Sequence, residues 1–277
     1  MNVRDLLAGA AARLGGADAR LDAELLLAHA LDRPRTWLYA WPEQVPDVAQ
    51  RDAFERLVTA RERGEPIAYL IGRREFWSLD LVVTSDVLIP RHETELLVEL
   101  ALARIPPRRE ARVADLGTGS GALALAIASE RPHAKIVATD ASDAALDVAR
   151  GNAERLGIGN VTFARGDWLD AVPGERFDVI VTNPPYVESG DAHLAAGDVR
   201  FEPRAALVAG ADGLDAIRRI VVDASKHLVH EGLLLIEHGF DQGVRVRALI
   251  EAQGFADVET VRDAGGHERV TSGRRRG

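Results

Sequence analysis

From Ala111 onward, short apolar runs alternate with segments of helical period, and the first passage between the two is Val113-Ala114-Asp115-Leu116-Gly117-Thr118-Gly119-Ser120-Gly121. This alternation constrains the fold more than any other feature of the chain. Parallel strands must be joined by crossovers, so the helices cover both faces of a mainly parallel sheet, an α/β architecture. The pattern predicts strands over residues 112–115, 135–140, 161–165, 177–182, 233–237, 257–260 and 268–271. Helices are expected over 122–129, 144–156, 213–229 and 243–252. Residues 187–207 have little periodicity and follow a strand end, where a binding loop is expected.

The first part of the chain has a different texture. Val3, Leu6, Leu7, Ala10 and Leu14 keep helical spacing, and so do Phe54, Leu57 and Val58. Asp18 is placed to cap a helix through Leu21, Leu25 and Ala28, and Pro46 suits the first turn of another. Breaks at Gly15-Gly16 and Trp41-Pro42 separate these segments. Residues 1–72 are therefore expected to form a bundle of roughly four helices, with Trp37, Tyr39 and Trp41 packed inside. Residues 73–90 change period, and two short strands about Asp80 predict a hairpin linking the bundle to a second domain over 91–277. That domain begins with a helix over 93–103, closed by Pro106-Pro107. Arg274, Arg275 and Arg276 read as a solvated, frayed terminus.

Composition narrows the function classes. The 277 residues are 47% hydrophobic and 28% charged, enough apolar material for a core. The net charge of −9 argues against affinity that depends on broad phosphate contacts, so direct nucleic-acid or anionic-membrane binding is not expected. The absence of cysteine excludes disulfides, thiolate nucleophiles and cysteine-based zinc sites. Only Lys135 and Lys226 are lysines, a codon-composition effect more than a functional one. No apolar run approaches the ~20 residues needed to cross a bilayer. The short apolar stretch 6–12 is flanked by Asp5 and continues as a helix, and Asp18 and Asp22 do not suit an organellar leader. A cytoplasmic protein is expected.

The glycine-rich loop lets the backbone approach a ligand without a Cβ in the way, but many sheets carry such a loop only for packing. The next strand end discriminates. Asp140 lies 19 residues past Gly121, where an acidic residue can accept hydrogen bonds from ribose hydroxyls. No lysine follows the loop as a Walker-type cradle requires, and Thr118 stands where a nucleophile elbow would differ. Nicotinamide and S-adenosylmethionine cofactors remain. The Gly-x-Gly-x-Gly spacing after Asp115 resembles motif I of class I S-adenosylmethionine-dependent methyltransferases. That resemblance implies a Rossmann-like fold with ribose held by Asp140 and adenine lined by Asp167 and Trp168. Gly117, Thr118, Gly119, Ser120, Gly121 and Asn183 complete the cofactor set.

The strand over 177–182 ends in Asn183-Pro184-Pro185-Tyr186. Asn-Pro-Pro is an ordinary way to stop a strand, yet its place at the carboxyl end of a central strand favours a functional role. A planar amide or aromatic amine has a delocalised nitrogen lone pair and attacks a methyl sulfonium poorly. Acceptors that hold both N–H protons can orient that nitrogen and free the lone pair. The Asn183 side-chain carbonyl and the Pro184 backbone carbonyl can supply them, and Tyr186 would pack against the planar group. Pro184-Pro185 offers backbone acceptors only. This tetrad resembles that of amino-methyltransferases acting on adenine or on glutamine side chains, and by itself it leaves both open.

Three further segments carry a narrower resemblance: Arg74-Glu75-Phe76-Trp77-Ser78-Leu79, Leu88-Ile89-Pro90-Arg91-His92-Glu93-Thr94-Glu95, and Phe201-Glu202-Pro203-Arg204-Ala205-Ala206-Leu207 with Gly213-Leu214. With the loop and the tetrad, they resemble the bacterial peptide chain release factor glutamine methyltransferase (PrmC/HemK) family over nearly the whole chain. The resemblance implies methylation of the glutamine in the Gly-Gly-Gln motif of release factors, with S-adenosylmethionine as methyl source, no metal, and a helical N-terminal domain that helps dock the protein substrate. A monomer is expected. The family usually has proline where His92 stands. Residues 1–80 hold 11 Arg against 13 Asp and Glu, which is not a nucleic-acid footprint. A DNA or RNA adenine methyltransferase is the alternative.

Other candidates are set aside. His227 and His230 with Glu231 imitate a metal site on a helix end, but lack a third placed ligand. His238 follows a strand and is expected near the crevice without an assigned role. Arg91, Glu93 and Glu95 suit the cleft border, capping and surface pairing equally well.

Overall fold

A computed structural model of the chain describes residues 1–276. The chain divides into two compact units, one of residues 1–73 with His193–Phe201, the other of residues 74–192 and 202–277.

The first unit holds five helices, α1 (Val3–Leu14), α2 (Ala19–Leu31), α3 (Arg35–Ala40), α4 (Val48–Glu62) and α5 (Ile67–Ile71). Asn2 and Asp47 start α1 and α4 with reciprocal capping boxes to Asp5 and Gln50. Pro46 therefore precedes the cap of α4 and does not enter its first turn. Asp18 stands at the N-cap of α2 but makes no side-chain capping bond. The expected four helices become five because α5, at five residues, is too short to display a period. Val3, Leu6, Leu7, Leu26, Leu27, Leu38, Phe54 and Val58 form the core. Trp37 packs against it, but Tyr39 and Trp41 are 60% and 58% exposed, contrary to the expectation that they pack inside. On a one-turn-and-a-half helix Leu38 takes the inward position, and Tyr39 instead donates its phenol to the buried Glu24 carboxylate at 2.6 Å. The unit also takes in His193–Phe201, whose Asp198 pairs with Arg61 at 2.8 Å.

The second unit opens with a hairpin of β1 (Arg73–Phe76) and β2 (Leu79–Val82). Its turn is Trp77-Ser78, both at positive φ (51° and 58°), and not Asp80. Phe76 and Leu81 are fully buried in the core beside the sheet, so the hairpin packs as part of this unit. A 3-10 turn, His92–Thr94, leads into α6 (Glu95–Arg104), and strands and helices then alternate: β3 (Arg112–Leu116), α7 (Ala122–Glu130), β4 (Lys135–Asp140), α8 (Asp143–Leu156), β5 (Val161–Arg165), β6 (Phe177–Thr182), α9 (Asp215–His227), β7 (Leu228–Glu237), α10 (Gly243–Ala252), β8 (Ala256–Arg262) and β9 (Glu268–Arg274).

The sheet has seven strands in the order β5-β4-β3-β6-β7-β9-β8, and β9 alone runs antiparallel to its neighbours. This is the expected mostly parallel, Rossmann-like α/β sheet. Its order reverses at β3, which lies between β4 and β6, and ligands bind beyond the carboxyl ends of strands at such a switch point.

Two local expectations are corrected. His227 closes α9 with Nδ1 on the Asp223 carbonyl at 3.0 Å, whereas His230 belongs to β7, so they share no helix face. Two of the three terminal arginines are not frayed, because Arg274 ends β9 and the Arg275 amide donates to the Gly232 carbonyl at 2.9 Å.

Candidate active site

The carboxyl ends of β3, β4 and β6 surround a cavity of about 370 Å³, within the usual range for small-ligand sites. Gly117, Gly119, Asp140, Asp167, Trp168, Asn183 and Pro185, all singled out in the sequence, line it. Thr118, Ser120 and Gly121 do not. Thr118 is buried with its hydroxyl on Asp115 at 2.6 Å, the Ser120 carbonyl accepts from Asn152, and Gly121 caps α7. These three shape the loop from beneath.

Asp140 organises the cavity floor. One carboxylate oxygen accepts from the Gly119 amide and the other from the Ser142 amide, each at 2.9 Å, so the residue that ends β4 also sets the loop after β3. Gly117 (φ 73°) passes directly beneath the Trp168 indole, and a Cβ there would stand 3.0 Å from the ring. Glycine is required at that crossing. Asp167 is turned partly toward Arg219 at 3.2 Å.

Asp115 lies fully buried below the loop. Its Oδ2 accepts from Thr118 and from the Ala124 amide, while Oδ1 has no partner. Burial pushes its carboxyl up to about 7. In the cavity itself, Asp140 fits paired hydroxyls and the Trp168 ring a planar base, so the residues present suit a nucleoside cofactor such as S-adenosylmethionine.

Asn183 follows β6 and donates from Nδ2 to the Thr94 hydroxyl at 3.0 Å. Pro184 is buried, and the Tyr186 phenol turns inward to 3.5 Å from Glu237 at the end of β7. Burial raises both groups, the phenol far above its usual range and the Glu237 carboxyl up to about 7. Gly213 (φ 71°) passes so close to the Tyr186 carbonyl that a Cβ would stand 2.3 Å from it. This close approach lets Gln242 donate to the same carbonyl at 2.9 Å.

Asp115 and Glu237 together set a pH dependence of stability. Both have folded values above the ordinary ~4 of unfolded carboxyls. Between about pH 4 and 7 the folded chain binds more protons than the unfolded one, so stability falls as pH rises through that window. Glu237→Gln should therefore shrink the drop in Tm between about pH 5 and 8, read by calorimetry. An unchanged drop would remove Glu237 as a contributor.

The first 72 residues, from residue 5, match the family model described as PrmC N-terminal domain, and residues 92–206 match that of the methyltransferase small domain. The release factor glutamine methyltransferase of Xylella fastidiosa (strain Temecula1) is 53% identical over 97% of this chain and 96% of its own length. That of Pseudomonas aeruginosa is 53% identical over 92% of each. This chain belongs to the release factor glutamine methyltransferase family. The fold agrees with a wider group: a T. thermophilus 16S rRNA methyltransferase in complex with AdoMet and guanosine superposes with a TM-score of 0.55 at 21% identity, covering 74% of this chain and 50% of that one.

Within this member of the family, the segments singled out around Arg91 and Glu202 meet. Glu202 is buried, pairs with Arg91 and accepts from the Ile89 amide at 3.1 Å, which ties the turn before α6 to the loop carrying the cavity residues Ala205 and Ala206. His92, where the family usually has proline, is exposed and 3.7 Å from Glu95. His238 does not line the cavity; it is buried between the Gly239 carbonyl and the Thr271 hydroxyl. Thr94, inside a segment the sequence singled out, and Glu237 were given no role from the sequence, because they lie 89 and 54 residues from Asn183 and only the sheet register brings Glu237 beside the tetrad.

Proposed function

We infer that this chain methylates the side-chain amide nitrogen of the glutamine in the Gly-Gly-Gln motif of peptide chain release factors, using S-adenosyl-L-methionine. The observation that carries the reading is the Asn183 side chain at the cavity wall, with its NH2 group committed to Thr94 and its carbonyl edge left for a substrate amide.

Bound S-adenosylmethionine supplies a methyl group on a cationic sulfur. In this reading Asp140 holds the ribose hydroxyls, and Trp168 and Asp167 border the adenine. Asn183 and Pro184 each accept one N–H of the substrate amide, which fixes its plane and turns the nitrogen lone pair toward the methyl group. Tyr186 packs against that plane. The cofactor would give its methyl carbon to the amide nitrogen and leave as a neutral thioether, while the nitrogen's proton would pass to water, so the chain's own residues need supply no strong base.

Residues 1–72 serve as the docking domain for the release factor, consistent with the exposed Tyr39, Trp41, Val45 and Val48 on that unit. The enzyme works as a cytoplasmic monomer without a metal. Among the described residues no helix is long and apolar enough to cross a membrane.

Peptide mass spectrometry of unmodified release factor, incubated with the protein and S-adenosylmethionine, tests the reading. One added methyl group on the Gly-Gly-Gln glutamine is expected. An unmodified glutamine, with methyl transfer to DNA or RNA adenine instead, would overturn it.

A further inference from the structure

Thr94 closes the 3-10 turn that runs into α6, with helical backbone angles (φ −67°, ψ −18°), and its hydroxyl makes no capping bond to that helix. The side chain is buried and points the other way. Its oxygen accepts from Asn183 Nδ2 at 3.0 Å. Glu237 is itself buried nearby, with Oε1 3.5 Å from the Tyr186 phenol and Oε2 without a hydrogen-bond partner. Three elements thus converge behind the tetrad: the turn before α6, the end of β6 and the end of β7.

Donor arithmetic gives this cluster a direction. A threonine hydroxyl carries one proton and two lone pairs. Here it accepts the Asn183 NH2 group, which leaves the Asn183 carbonyl for the opposite, cavity side. The reversed amide would set two donors, Asn183 NH2 and a substrate N–H, against each other in the cavity. We propose that Thr94 is the positioning element that holds the Asn183 amide in the orientation methyl transfer requires. The inference rests on the amide-methylation reading above, since it concerns the group that accepts the substrate N–H.

Thr94→Val keeps the side-chain shape and removes the hydroxyl, freeing Asn183 to rotate. Its kcat for release-factor methylation is expected to fall by about 100-fold, with KM for the release factor and cofactor affinity little changed. Thr94→Ser, which restores the hydroxyl, should recover most of the rate. A Thr94→Val rate within about threefold of wild type, or a serine variant as slow as valine, would overturn the proposal. Wild-type protein that leaves the release factor unmethylated would instead overturn the underlying reading, so the two failures are distinct.

Discussion

Asn183→Ala is expected to slow single-turnover methyl transfer by about 10³-fold while cofactor affinity stays near that of wild type. The asymmetry follows from the site. Asn183 lines the cavity at the end of β6, but the loop and the Asp140 carboxylate that shape the cofactor floor are built from β3 and β4. Removing the side chain deletes one of two acceptors for the substrate N–H protons, and the remaining Pro184 carbonyl cannot define the amide plane alone. The fold should survive, since the lost bond to Thr94 is worth about 1 kcal/mol and the neighbouring Thr182 remains fully buried in register between Leu116 and Ile236. Rapid-quench turnover with release factor, beside calorimetric titration of the cofactor, separates the two quantities. A rate within tenfold of wild type would mean that the amide is oriented by some other group. A parallel loss of cofactor affinity would mean that Asn183 belongs to the cofactor site more than to the substrate site.

What could be read from the sequence was local chemistry on a regular scaffold. Strands β4, β5 and β6 fall on their expected residues because each is a mostly apolar run closed by a polar or glycine-rich break. β7 begins five residues earlier than expected, at Leu228, because Glu231 at positive φ and Gly232 interrupt its pairing, and a broken strand loses its period. The hairpin turn was misplaced for a related reason: Trp77-Ser78 adopts positive φ at both positions without asparagine or glycine to announce it. In the site, the glycine loop, Asp140 and the Asn183 tetrad were legible because spacing along one chain segment determines their geometry. Thr94 and Glu237 were not, since their meaning arises only where strands distant in sequence become neighbours. The same holds for Thr118 and Ser120, which the loop pattern assigned to the ligand and the fold assigns to the loop itself.

Asp140→Ala should raise the dissociation constant for S-adenosylmethionine by about 100-fold, the equivalent of about 3 kcal/mol for two lost charge-assisted hydrogen bonds. The carboxylate has a double task, which makes the effect larger than loss of a ribose contact alone. Its two oxygens already accept from the Gly119 and Ser142 amides, joining the glycine loop to the start of α8. Each oxygen keeps a further lone pair directed at the cavity that Gly119, Asp140 and Ser142 line together. With alanine, both amides lose their acceptor and the loop loses the bond that holds Gly119 at positive φ, so the site is less organised before any ligand arrives. Asp140→Asn separates the contributions. One amide oxygen can still serve Gly119 or Ser142 but not both, and its NH2 group opposes the remaining N–H donor, so an affinity between wild type and alanine is expected. At saturating cofactor the rate with alanine should recover to within about tenfold, because Asn183 and Pro184 are untouched. Equal affinity in wild type and Asp140→Ala would show that the ribose is held elsewhere. A rate that fails to recover at saturation would show that the loop also aligns the methyl group for transfer.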